Sequence, residues 1–219
     1  MPFGDEDWEA TLPSYLFNTE KGRIKIGLSQ FFEANHHQRE KIYSNFYLGE
    51  NTILFFMQGD IFNSIPAIEW DDDNSCYYTA FTPAMLVSNS CDISPDNNRQ
   101  LPKEALFAPV IPLGEFIKGL EDDGMVKEQI TSIINNLKHQ DYSNIFYLPP
   151  NPLDSSENIV LLDKVYWHPS SEIQKKLANI KSERGISLDH FGFYLFIAKL
   201  SFHLCRVPEE IERRSDVKQ

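Results

Sequence analysis

The sequence predicts an α+β fold, a small twisted β-barrel with helices before, within and after it, and three observations predict it. Between residues 58 and 113 the chain is a succession of short runs rich in β-formers (76–81, 85–87, 105–111), separated by turn compositions. After Leu113 the period changes: Val126, Ile130, Ile133, Ile134 and Leu137 recur at helical spacing. With 219 residues, 42% of them hydrophobic and 13% aromatic, the chain can bury a proper core, and no low-complexity linker divides it. The expected organisation is one domain, 1–219. Within it, 1–50 form an N-terminal strand and helix, 51–113 the barrel core, 114–140 a helical insertion, and 141–219 the closing strands and C-terminal helix.

Taken in order, residues 1–22 form an acidic lead-in, anchored by Trp8, Leu12, Tyr15, Leu16 and Phe17. Residues 23–28 alternate base with apolar residue, the pattern of a half-exposed strand. Ser29 can cap a helix over 30–47. Residues 52–57 are wholly apolar, which suits a strand buried on both faces. Gln58-Gly59-Asp60 turns the chain into a strand starting at Ile61, and Pro66 consigns the residues after it to an edge or a bend. Asp71-Asp72-Asp73-Asn74-Ser75 is a hairpin-like polar loop, and Met85-Leu86-Val87 is a central strand ending at Ser88. Pro95-Asp96-Asn97-Asn98 is a turn by composition. The strand over 105–111 is closed by Pro112.

Beyond it, 115–120 read as a short helix broken by Asp122-Asp123-Gly124, and the next helix ends at Lys138. Ile145-Phe146-Tyr147-Leu148 is a strand stopped by Pro149-Pro150, and 159–162 with 164–167 make a strand or bent pair. Ser171 with Gln174 suggests a capping box for a helix carrying Ile173 and Leu177. The last helix, from Leu188 to about Arg206, has Ser187 as its cap and Asp189 in its first turn. Leu188, Phe191, Leu195, Ala198 and Phe202 mark one face. Phe193, Phe196, Ile197, Leu200 and Leu204 widen it, so the barrel or a second copy of the chain must cover it.

Charge narrows the function classes. The net charge is −12, and residues 45–125 hold thirteen Asp and Glu against three bases, Arg99, Lys103 and Lys118. Nucleic acid is bound by neutralising phosphates, so RNA or DNA binding through this region is disfavoured. Three cysteines without a C-x-x-C pair fit a reducing compartment, and the acidic start lacks the form of a signal peptide. The apolar run 191–204 contains Lys199 and His203 and is too short to span a bilayer. The expected location is the cytoplasm.

The densest set of reactive side chains is Ser88-Asn89-Ser90-Cys91-Asp92. Cys91 would need a base or cation to hold it as thiolate, and His168, His190 or His203 are the candidates to approach it. Against this stands a small residue at a strand end, with Ser88, Ser90 and Asp92 bonding the backbone of a tight turn. Asp60 and Asp92 could face each other as a carboxylate pair, but both sit where turns favour Asp. His36-His37 and the three aspartates at 71–73 lack metal-ligand spacing, so neither a metal nor another cofactor is expected.

The order Gly59-Asp60-Ile61, then Thr82-Pro83-Ala84-Met85-Leu86-Val87-Ser88, then Ala108-Pro109-Val110 resembles the MazF/PemK toxin family of bacterial toxin–antitoxin systems. That resemblance implies an SH3-like barrel and metal-free RNA cleavage. The family's cleavage uses an Arg before the Pro of the second stretch and a Thr in the third; this sequence has Thr82 and Ile111 there. Thr offers no fixed positive fork for a phosphate in flight, and Ile neither donates nor accepts a proton. The expectation is a bacterial protein-interaction protein on a degenerate toxin-like barrel, within a toxin–antitoxin or phage-defence module, with a protein partner or a homodimer. The alternative is a divergent nuclease or hydrolase using Cys91 and Asp92.

Overall fold

The structure, a computed structural model, describes residues 43, 46–49, 54–71, 74–94, 96, 104–151 and 155–205, except the side chains of Phe202 and Cys205. The expected lead-in, the strand at 23–28, the helix over 30–47 apart from Tyr43, Phe46 and Tyr47, and His36-His37 lie outside the described residues. So do Pro95, Asn97 and Asn98 of the turn.

Among the described residues the fold is α+β around a seven-stranded antiparallel sheet. Its strands are β1 (Ile61–Asp71), β2 (Cys76–Leu86), β3 (Glu104–Pro112), β4 (Ile145–Leu148), β5 (Asn158–Leu161), β6 (Tyr166–Pro169) and β7 (Arg184–Ile186). The order is β4-β5-β3-β2-β1-β7, with β6 also paired to β3. The two β-rich runs 76–81 and 85–87 merge into the single strand β2, which passes through Pro83. The expected bent pair is there: β5 pairs with Val110, Ile111 and Pro112 of β3, and β6 continues along residues 104–107 of the same strand.

One expectation fails. Residues 54–57 are no strand, and Leu54 and Phe55 are exposed; only Phe56 is buried. An apolar run predicts burial from its composition, but here β1 pairs with β2 and β7, and β2 with β1 and β3.

The sheet curls. β6 and β1 are separated by β3 and β2, roughly 14 Å in a flat sheet, yet His168 Nε2 lies 2.5 Å from the Pro66 carbonyl oxygen of β1. No backbone pairing joins β1 to β6 among the described residues, so the sheet remains open.

Strand alternation divides the core in two. Phe62, Ile65, Ala84, Leu86, Ala105 and Phe107 face one side. There they meet Ile93 of α1 (Ser90–Ile93), Ile173 of α4 (Ser170–Lys175) and Ile180 of α5 (Ile180–Glu183). Ile61, Met85, Val87, Ala108 and Val110 face the other side, packed against Leu195, Phe196 and Leu200 of α6 (His190–Cys205). A one-residue slip between Phe62 and Ile65 in β1 is why these two share a face. A third cluster ties α2 (Leu113–Asp122) and α3 (Lys127–Lys138) to β4 and β5 through Leu113, Leu137, Tyr147, Ile159 and Leu161.

Two helix starts differ from expectation. Helix α4 begins at Ser170, one residue before the supposed cap Ser171, and has no side-chain cap. Helix α6 begins at His190, and Asp189 Oδ1 caps it by accepting from Phe191 N (2.5 Å). Ser187 is bonded elsewhere. Gly192 lets the Phe46 carbonyl approach α6: a Cβ there would lie 2.5 Å from that oxygen. The covered stripe of α6 runs through Gly192, Leu195, Phe196, Lys199 and Leu200, with Ala198 only half-buried. Among the described residues no helix is long and apolar enough to cross a membrane.

Candidate functional site

Two parts of the β1–β2 ribbon concentrate unusual side chains: a polar knot at its root and an exposed aromatic tip. The root starts with the turn 57–60. Gly59 takes φ +89, a conformation that favours glycine, and its N–H donates to the Leu86 carbonyl (2.8 Å). The next residue, Asp60, is 1% exposed, and its carboxylate is engaged on both oxygens. Ser187 Oγ donates to Oδ1 (2.5 Å), Met57 N donates to Oδ2 (2.9 Å), and Arg184 Nη1 stands 3.5 Å from Oδ2. The same Arg184 nitrogen donates to the Phe55 carbonyl (3.1 Å). Burial pushes the Asp60 carboxyl above its ordinary range; Ser187, the Met57 N–H and Arg184 pull against that shift.

The residues 88–92 are stitched to this turn through backbone. Gln58 N donates to Ser90 Oγ (2.9 Å), and Gln58 Nε2 donates to the Val87 carbonyl (2.7 Å). Ser88 Oγ accepts from Leu106 N (2.8 Å), which fastens the end of β2 to β3. Asn89 caps α1 by accepting from Cys91 N (2.9 Å). Cys91 is exposed, Asp92 half-buried, and neither Cys76 nor Cys91 forms a disulfide. Of the sequence candidates, Ser90 is tied to the Asp60 turn through Gln58 N, whereas Ser88 bonds the main chain of β3 and Asp60 bonds Ser187, Met57 N and Arg184. His168 is held at Pro66, and His190 and His203 lie on α6. The β2–β3 pairing runs from Leu86↔Phe107 to Ala84↔Pro109, so Thr82 and Ile111, the two positions matched to the toxin family's catalytic residues, lie beyond its paired end. Neither brings a cation or an acid. Among the described residues no group of three or more His, Cys, Asp or Glu is placed to hold a metal ion.

The tip was not among the sequence candidates. Beyond the root, β1 and β2 run on as a two-stranded ribbon, in register from Ile65↔Thr82 to Asp71↔Cys76. Alternation puts Pro66, Ile68, Trp70, Tyr77 and Phe81 on one face and Ala67, Glu69, Asp71, Tyr78 and Ala80 on the other. Ile68, Tyr77 and Phe81 are 76%, 74% and 73% exposed. Trp70 and Tyr77 meet edge to face with centroids 4.9 Å apart. On the opposite face Tyr78 Oη donates to Glu69 Oε2 (2.8 Å), and that bond raises the Tyr78 phenol's pKa. At the turn Asp71 accepts from Asn74 N (3.0 Å) and Nδ2 (2.8 Å), with Ser75 at φ +50. The signal available in the sequence was Trp70, Tyr77, Tyr78 and Phe81 clustered around an acidic loop; nothing in it distinguished covered aromatics from open ones.

Comparison with known proteins finds no matching family model, no matching curated protein and no matching solved structure.

Proposed function

We propose that this chain is a protein-binding component and that its work is done by a surface, not by a reactive cleft. One observation carries the reading: large apolar side chains stand in solvent together on one face of the ribbon, Ile68, Trp70, Tyr77 and Phe81. Contiguous exposed apolar surface rimmed by polar groups is a mark of protein–protein contact. The polar knot supports the same reading from the other direction, because its hydroxyls and the Asp60 carboxylate are engaged inside the protein. The proposal includes the toxin-like ancestry. The curl that brings His168 to Pro66 suits an SH3-like barrel, and Thr82 and Ile111 in the catalytic positions suit one that has lost RNA cleavage. A bacterial, cytoplasmic toxin–antitoxin or phage-defence module is the proposed setting.

The test is direct. Purified protein is incubated with RNA, single-stranded DNA and a generic ester substrate beside Cys91→Ala and Asp92→Asn. Turnover no faster than buffer is the expected result. Turnover that either substitution abolishes would replace this reading with the hydrolase or nuclease alternative.

A further inference from the structure

We propose that the outer half of the β1–β2 ribbon seats in a partner protein whose contact patch is apolar at its centre and ringed by Lys and Arg. The inference rests on the protein-binding reading and adds the partner's chemistry.

Two properties of the ribbon set that chemistry. The face bearing Pro66, Ile68, Trp70, Tyr77 and Phe81 calls for an apolar complement, since stable interfaces desolvate such a centre and leave charge to the rim. The rim is of one sign. Residues 61–86 contain four acids, Glu69, Asp71, Asp72 and Asp73, and no Lys, Arg or His. Glu69 and Asp71 stand on the opposite face, one residue from Trp70 on either side, so a partner covering the aromatics meets carboxylates at its margin. Lys and Arg answer both demands. Their alkyl stems lie on apolar surface, and their charges pair with carboxylates or sit over the exposed parts of the Trp70 and Tyr77 rings.

The same charge count argues against other occupants. A second copy docking ribbon to ribbon would bring Glu69 and Asp71 against their own kind. Nucleic acid and anionic lipid carry the ribbon's own sign. Among the described residues, no strand pairs with either margin in this half: β7 pairs β1 only at Ile61 and Phe62, the paired residues of β2 with β3 are 84–86, and beyond Pro66, where His168 bonds, no other strand is paired to the ribbon. A partner can therefore reach round the ribbon.

The experiment uses the full chain, isotope-labelled for amide NMR, and two synthetic amphipathic peptides with identical apolar positions. One peptide carries Lys at every polar position and the other Glu. The Lys peptide is expected to shift the amides of 67–82 saturably and to weaken as salt rises. Binding should fall roughly tenfold in Trp70→Ser/Tyr77→Ser and by a similar factor in Glu69→Lys, with thermal midpoints only slightly below the parent's. The Glu peptide should leave the ribbon untouched. Equal binding of both peptides, shifts mapping elsewhere, or no shifts overturn the inference. So does a concentration-dependent dimer that Trp70→Ser dissolves. The two proposals fail separately: a natural partner that binds the Trp70→Ser/Tyr77→Ser protein as tightly as the parent ends this one and leaves the protein-binding reading intact. Turnover lost in Cys91→Ala ends the protein-binding reading itself.

Discussion

The root and the tip of the β1–β2 ribbon are made of the same two strands and much the same residue types, yet one is core and the other is surface. At the root, Ile61, Phe62, Ala84, Met85 and Leu86 are buried alternately on two faces. At the tip, Ile68, Trp70, Tyr77 and Phe81 continue the alternation into solvent. The difference lies in what the rest of the chain delivers. Helix α6 covers one face of the root, and α1, α4 and α5 cover the other. No described element does this for the tip. Burying one large apolar side chain contributes about 1.5–3 kcal/mol, so the described residues leave several such contributions unrealised at the tip.

The sharpest way to break the comparison is at the root. Phe62→Ala should lower stability by about 3–5 kcal/mol in urea unfolding, because Phe62 is fully buried between Phe56 and Phe107. Arg184→Ala should cost a similar amount, about 3–5 kcal/mol, by leaving the Asp60 carboxylate buried without its cation. The sign of its pH dependence is fixed. Burial already raises the Asp60 pKa, and removing Arg184 removes one of the groups that lower it. Between the ordinary carboxylate pKa and that raised value, the folded variant holds a proton that the unfolded chain has released. Its stability therefore falls as pH rises through the window, and the deficit against wild type shrinks as pH drops. Asp60→Asn added to Arg184→Ala should recover part of the loss.

A second buried charge sits on the far side of the sheet. Lys199 is 1% exposed in the covered stripe of α6, and its Nζ donates to the Gln140 carbonyl. Gln140, at φ +60 just past the end of α3, is itself pinned by two side-chain bonds to the Tyr147 backbone. Burial lowers the Lys199 pKa from 10.5 to about 8, with Asp141 opposing. Between those values the unfolded chain is protonated and the folded one is not, so stability rises with pH across that window, by about 3 kcal/mol at most. Lys199→Met should remove that rise, which the difference between the two proteins' urea midpoints across this range would show.

A smaller effect is expected at the turn that starts the ribbon. Gly59→Ala places a Cβ 3.1 Å from Leu188 Cδ1 at φ +89. The expected loss is about 1–2 kcal/mol, from backbone strain and a modest shift of Leu188. A thermal midpoint equal to wild type would show that the turn relaxes to another conformation.

Most strands were legible because β-formers bounded by turn residues carry their own signal: the reversal between Asp71 and Cys76, the stop at Pro149-Pro150 and the bent β5–β6 pair all arise from local composition. Function-bearing detail was less so, for reasons of distance. Ser187 looks like a helix cap, but Asp60, 127 residues earlier in the chain, takes its hydroxyl and leaves the capping to Asp189. Lys199 reads as a polar break in an apolar helix, and only the fold places its Nζ beneath the Gln140 carbonyl. The run 54–57 reads as core, yet Leu54 and Phe55 are exposed. For Ser187 and Lys199 the decisive partner lies far away in sequence.

The tip should yield the smallest stability effect and the largest effect on binding. Phe81 resembles Phe62 in chemistry and lies on the partner strand, in register with Pro66. It is 73% exposed, so truncation removes little that folding buried. Phe81→Ser should change stability by no more than about 0.5 kcal/mol in urea unfolding, against the several lost at Phe62. Trp70→Ser costs slightly more, because its edge contact with Tyr77 disappears, a pair of about 0.5–1.5 kcal/mol when fully formed and less at an exposed site. A loss of about 2 kcal/mol or more at Phe81, on the scale of burying a large side chain, would mean that the tip is packed after all. Root and tip would then be one core, and the surface assigned to a partner would belong to the protein itself.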